Sequence, residues 1–222
     1  MGLDFMAKMR VVFGWVSAGM VASMAWGTAN AAFEGGDAAA GEAKAALCAG
    51  CHGGDGNSAT ADFPRLAGQY AGYIVKQVRD FQSGLRANND TMAGMAATVA
   101  SVEDAKDIAA YFASKKLARE PIAPVNADLV KKGEKVFKEG NVQAGVYGCI
   151  NCHGERGMGK AANITQFPRI GGQHRDYVIK QLNDFRAGTR KNDPGGMMAD
   201  IAKKLSEDEI KAVSEYLAAQ AP

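Results

Sequence analysis

Apolar side chains fall at helical spacing from Tyr73 to Gln82 and again from Tyr177 to Arg186, and Gly84 and Gly188 stand just beyond each run to stop it. An Ala-rich stretch from Ala38 to Leu47, and a later one from Asp128 to Lys138, read as helices that each lead towards a cysteine-bearing segment. Ser101 followed by Asp104, and Ser206 followed by Glu209, carry the start signature in which a hydroxyl and a carboxylate cap each other's backbone. The helices they open run to about Ser114 and Gln220. No segment alternates as a strand, and Gly, Asn and Pro gather between the helices. The pattern predicts an all-α chain.

The pattern is also written twice. Phe63-Pro64-Arg65-Leu66-Ala67-Gly68-Gln69 returns as Phe167-Pro168-Arg169-Ile170-Gly171-Gly172-Gln173, displaced by 104 residues. Tyr73–Phe81 returns as Tyr177–Phe185 with the same displacement. Two copies are too few for stacked repeats, so this is a tandem duplication of one domain. The expected division is an N-terminal domain over 32–117, a linker over 118–126 and a C-terminal domain over 127–222. Pro121 and Pro124 interrupt helix formation in the linker.

Ahead of the repeats stands a leader. Lys8 and Arg10 precede an uncharged run from Val11 to Phe33, and Ala29-Asn30-Ala31 is a small-residue cleavage site. Residues 1–31 therefore read as a signal peptide with Ala32 as the first mature residue. The rival reading is an uncleaved membrane anchor, since the run is long enough to span a bilayer, although Gly, Ser and Asn dilute it. Both readings place the rest of the chain outside the cytoplasm.

A net charge of +2 gives no sign of a nucleic-acid partner. The halves differ, however. Ala32 to Glu120 holds 9 basic and 11 acidic residues, a balance of −2, and Pro121 to Pro222 holds 15 and 12, a balance of +3. Such a dipole can orient the molecule on a partner, or it is an unevenly charged solvated surface.

The chemistry lies in two five-residue words, Cys48-Ala49-Gly50-Cys51-His52 and Cys149-Ile150-Asn151-Cys152-His153, displaced by 101 residues. Cys-x-x-Cys-His is the attachment site of a c-type haem: the sulfurs form thioethers with the vinyl groups and the His binds iron from the proximal side. Two domains of about 90 residues each bury limited apolar surface, and a haem in each would supply much of the missing core. One zinc bound by the two Cys-x-x-Cys pairs, or a redox dithiol, would also use these cysteines. Zinc leaves the adjoining His and the duplicated flanks unexplained, and the dithiol lacks its βαβ setting.

Counting narrows the second axial ligands. Beyond the leader the one other histidine is His174, so two bis-His haems are excluded. Five methionines remain: Met92, Met95, Met158, Met197 and Met198. Met92 and Met198 each stand seven residues before an apolar position, Val99 and Leu205, near the start of the last helix, and this shared register favours them. Thioether sulfur suits an iron that cycles between two states, because it raises the potential relative to harder ligands. Met95, Met158 and Met197 read as core filling in apolar loops. Pro64 lies 12 residues after His52 and Pro168 15 after His153. Each proline either offers its carbonyl to the other ring N–H or simply turns the chain. His174 occupies the place of Tyr70 in the repeat and reads as a structural or hydrogen-bonding residue.

Together the two haem words, Asp55-Gly56-Asn57-Ser58, the duplicated Phe-Pro-Arg blocks, Asn192-Asp193 before Met197-Met198, and Leu205–Ile210 resemble the dihaem cytochrome c4 family over nearly all of the mature chain. The resemblance implies two class I cytochrome c domains about a pseudo-twofold axis, with covalent haems held by His52 and Met92 and by His153 and Met198. It implies an electron carrier, not an enzyme, moving electrons between respiratory complexes from a quinol-cytochrome c reductase-type donor to a terminal oxidase, with membrane association in some members. One departure is Thr98 to Ser101, where the chain is one residue longer than the family pattern. The alternatives are the cytochrome subunit of a sulfide- or sulfur-oxidising complex, and a dihaem peroxidase. A peroxidase needs an open axial site, whereas the counted ligands can close both.

Overall fold

The computed structural model describes residues 35–119, 124–160 and 166–221. The leader and Pro121 lie outside them. The described residues form two sets of five α-helices with no strand. The first set is α1 (Ala38–Lys44), α2 (Ala46–His52), α3 (Ala71–Gln82), α4 (Asp90–Ala97) and α5 (Val102–Ala113). The second is α6 (Ala127–Glu139), α7 (Ile150–His153), α8 (Arg175–Ala187), α9 (Met197–Lys204) and α10 (Glu207–Ala218).

Each set closes on its own core. Ile74, Val75, Val78 and Phe81 of α3 meet Ile108, Ala109 and Phe112 of α5 in the first. Val178, Leu182 and Phe185 of α8 meet Ile210, Val213, Tyr216 and Leu217 of α10 in the second, with Phe137 of α6. The helix runs read from the sequence are thus the apolar faces of α3 and α8. Gly188 caps α8 in the left-handed conformation (φ 75°), as expected of a glycine stop.

Two expectations are corrected by local structure. Met95 and Met197, read as loop residues, lie on helices, because Asn89 accepts a 2.8 Å bond from Met92 N–H and so starts α4, while Asp193 accepts one of 3.0 Å from Ala199 N–H in the first turn of α9. These eight-residue helices are too short to show a clear period in sequence. The reciprocal capping box exists only at Ser206 and Glu209. At the other site Ser101 Oγ accepts from Asp104 N–H at 3.0 Å, but the Asp104 carboxylate, shorter by one methylene, binds Ser101 Oγ–H and Lys44 instead.

Helix crossings show the duplication at atomic scale. A Cβ on Gly41 would lie 2.0 Å from Asp107 O, and one on Gly133 would lie 1.9 Å from Ala212 O. Both glycines let the first helix of a set touch the backbone of the last. Gly133→Ala is expected to cost about 3 kcal/mol, since the overpacking clash is with backbone and outweighs the gain in helix propensity of about 1 kcal/mol. Denaturant unfolding measures it, and an unchanged midpoint would contradict the close crossing.

The two sets are joined by reciprocal contacts between repeated residues. Gln69 Nε2 donates to Arg169 O (2.7 Å) while Gln173 Nε2 donates to Arg65 O (3.0 Å). Arg65 Nη1 donates to Gly172 O (2.9 Å) while Arg169 Nη1 donates to Gly68 O (2.8 Å). Farther along, Arg86 reaches Tyr177 and Gln181 as Arg190 reaches Tyr73 and Gln77. The arginines also pair through an antiparallel backbone bridge. Each contact is matched by its partner displaced by 104 positions, which is the signature of a pseudo-twofold axis.

Two breaks in the symmetry lie among the described residues. Cys48 lies seven positions after Gly41, but Cys149 lies sixteen after Gly133. The additional residues form a turn closed by an Asn141–Val146 bridge, with Val142 and Tyr147 exposed. The other break is at Tyr70 and His174.

Candidate haem centres

The first haem word is itself helical. Cys48 and Cys51 stand one turn apart on α2, which puts both sulfurs on one face with His52 at the helix end. In the second word Cys149 caps α7 and Cys152 lies within it. All four cysteines are free and partly buried. Burial pushes the Cys149 thiol up to about 11 and raises that of Cys48. No group of three or more His, Cys, Asp or Glu that could hold a metal ion exists among the described residues.

Both proximal-type histidines are buried, and both are anchored the same way. His52 Nδ1–H donates to Pro64 O at 2.8 Å, and His153 Nδ1–H donates to Pro168 O at 2.8 Å. Of the two readings for the prolines, the carbonyl-acceptor one describes the structure. Burial lowers the pKa of each imidazole, partly offset by that carbonyl. Each ring is therefore neutral, with Nδ1 committed and Nε2 left as the lone-pair donor, the tautomer that iron requires.

The methionines separate by packing. Met92 and Cys48 pack against the N-terminal core, and Met198 and Cys149 against the C-terminal core. Met95 is half-buried outside that cluster. The core-filling expectation fails for Met197, which is 43% exposed at the first residue of α9. It fails also for Met158, which lines the cleft between the halves. Only one thioether per half thus shares a core with a haem-word cysteine.

These residues fit a haem in each half: two sulfurs on one helical turn, a neutral buried imidazole with a free Nε2, and a thioether in the same apolar core. The cleft between the halves, about 430 Å³, is lined by Arg65, Lys115, Lys116, Arg119 and Arg169 with no carboxylate. Its positive field suits a cofactor that brings anionic propionates.

A family model described as cytochrome c matches the chain twice, over residues 38–116 and 130–221. Cytochrome c4 of Pseudomonas aeruginosa is 46% identical over 192 residues, covering 86% of this chain and 90% of that one. The chain belongs to the cytochrome c4 family. A crystal structure of reduced recombinant cytochrome c4 from Pseudomonas stutzeri superimposes with a TM-score of 0.75 at 39% identity, covering 83% of this chain and 98% of that one. A thiosulfate dehydrogenase electron acceptor of Stutzerimonas stutzeri is 40% identical, covering 78% of this chain and 79% of that one. Membership carries the fold, two tandem cytochrome c domains, and the cofactors, two haem c groups bound covalently at Cys48 and Cys51 and at Cys149 and Cys152.

Sequence reasoning missed the contacts between the domains. Arg86, Arg190, Gln181 and Asp80 are all buried at or beside that seam. The available signal was their exact repetition: Tyr73, Gln77, Asp80, Arg86 and Asn88 each recur 104 positions later as the same residue. Polar residues repeated within an otherwise apolar helix mark a surface on which the two copies meet.

Proposed function

We propose that this protein is a periplasmic electron carrier whose haems are ligated by His52 and Met92 and by His153 and Met198. The supporting observation is the matched pair of anchored imidazoles, each joined by a single thioether in the same core. A site closed on both faces passes electrons with little rearrangement and gives outside molecules no position to occupy. The bound haems supply the one-electron chemistry; the chain orients the ligands, excludes water and sets the potentials.

The donor and acceptor in this reading are a quinol-cytochrome c reductase-type complex and a terminal oxidase. The second reading, an acceptor for a sulfur-compound dehydrogenase, draws on the 40% identity to the thiosulfate dehydrogenase electron acceptor. The leader, whose residues lie outside those described, supports export to the periplasm as a cleaved signal or an anchor. No helix among the described residues is long and apolar enough to cross a membrane.

Carbon monoxide tests the carrier reading. The reduced holoprotein is expected to bind it slowly or not at all at both haems. Rapid, full binding at either would replace the carrier with an enzyme that has an open site.

A further inference from the structure

The two domains hold each other's proximal loops, but not equally. Gln173 clamps the backbone of Arg65, next to Pro64, and Gln69 clamps that of Arg169, next to Pro168. The following residue breaks the symmetry. His174, at the start of α8, places Nε2 at 2.8 Å from Ser58 Oγ and 3.1 Å from Ser58 O. Ser58 Oγ–H in turn donates to Phe63 O at 2.6 Å. Phe63 is bonded to Pro64, whose carbonyl accepts from His52. His174 and Ser58 are 3% and 2% exposed, so water does not compete for these bonds.

In the other direction no such chain exists among the described residues. The partner of Ser58 in the repeat is Gly159, and Tyr70 packs over it; a Cβ there would lie 2.1 Å from the Tyr70 hydroxyl. Gly159 has no hydroxyl with which to relay to the second proximal loop, as Ser58 does to the first.

We propose that His174 of the C-terminal domain is a positioning residue for the N-terminal haem, holding through Ser58 the Phe63–Pro64 turn that receives the His52 ring N–H. This rests on His52 being the proximal ligand. A firm Nδ1–H···O=C bond increases the basicity of the imidazole, favours the oxidised iron and so lowers the potential. The C-terminal domain thereby sets part of the potential of its neighbour, and Gly159 cannot return that control through a Ser58-like hydroxyl.

The test is a redox titration of the holoprotein followed by NMR, which resolves the two haems separately. His174→Phe and Ser58→Ala are each expected to raise the N-terminal potential and leave the C-terminal one unmoved. His174→Gln, which keeps an N–H for Ser58, is expected to restore the wild-type value. Tyr70→Phe is expected to shift neither. An unshifted N-terminal potential in His174→Phe and Ser58→Ala, with both His/Met spectra intact, overturns the inference alone. Equal shifts at both haems overturn it too, as they would report general loosening of the interface. A wild-type N-terminal haem lacking a histidine ligand would defeat the ligand assignment, and the inference with it.

Discussion

Met198→Ala is expected to turn one of the two haems high-spin and to lower its potential, leaving the other unchanged. Met198 is half-buried against the C-terminal core beside Cys149, so its truncation removes packing as well as sulfur. Packing alone would cost at most about 2 kcal/mol at a half-buried site. Met198→Leu separates the effects: it keeps the volume, so stability should hardly move, while the high-spin signal should appear in full. Met92→Ala should do the same at the other haem. Met197→Ala should do neither, because its side chain faces solvent. Absorption and electron paramagnetic resonance spectra of the ferric proteins read all four. Two low-spin His/Met haems in Met198→Ala would reassign that ligand.

Arg86→Ala is expected to destabilise the folded chain by about 3 kcal/mol, the scale for leaving buried partners of a charged group unpaired. Its guanidinium serves Gln77 at 2.8 Å, Gln181 at 2.9 Å, Tyr177 at 3.2 Å and Asn88 at 3.0 Å, and lies over the Phe81 ring at 4.6 Å. Truncation removes the donor to Tyr177 at the seam and one of the donors to Gln181, which keeps Arg190 and Asn88. Arg190→Ala should cost a similar amount, since Arg190 makes the mirror-image contacts. The double variant should cost more than the sum of the two, because Gln77 and Gln181 each keep one arginine donor in either single variant and lose both only in the double. Denaturant unfolding of the holoproteins measures all three. A loss below about 1 kcal/mol would mean that the network is no stronger than an exposed pair.

Local chemistry made the haem words, the capped last helices and the duplication legible in the sequence. Cys-x-x-Cys-His is written in consecutive residues, and a tandem repeat needs no fold to be seen. The helices bearing Met92 and Met198 were not legible, because eight residues give too little periodicity, and although Asn89 caps the first, the second starts at Gly196 with no side-chain cap. Met158 and Met197 were misplaced because composition does not distinguish a core from a cleft or an exposed helix start. His174 showed only as a departure from Tyr70. Its partner Ser58 stands 116 residues away, and nothing in either segment names the other.

The most direct measurement is the near-infrared spectrum of the ferric holoprotein, together with a haem count after acid-acetone extraction. Thioether bound to ferric haem gives a charge-transfer band that other axial ligands do not. The expected result is two haems per chain that resist extraction, with a band of the intensity of two His/Met centres. A band of half that intensity, or colour lost to the solvent, would contradict the account.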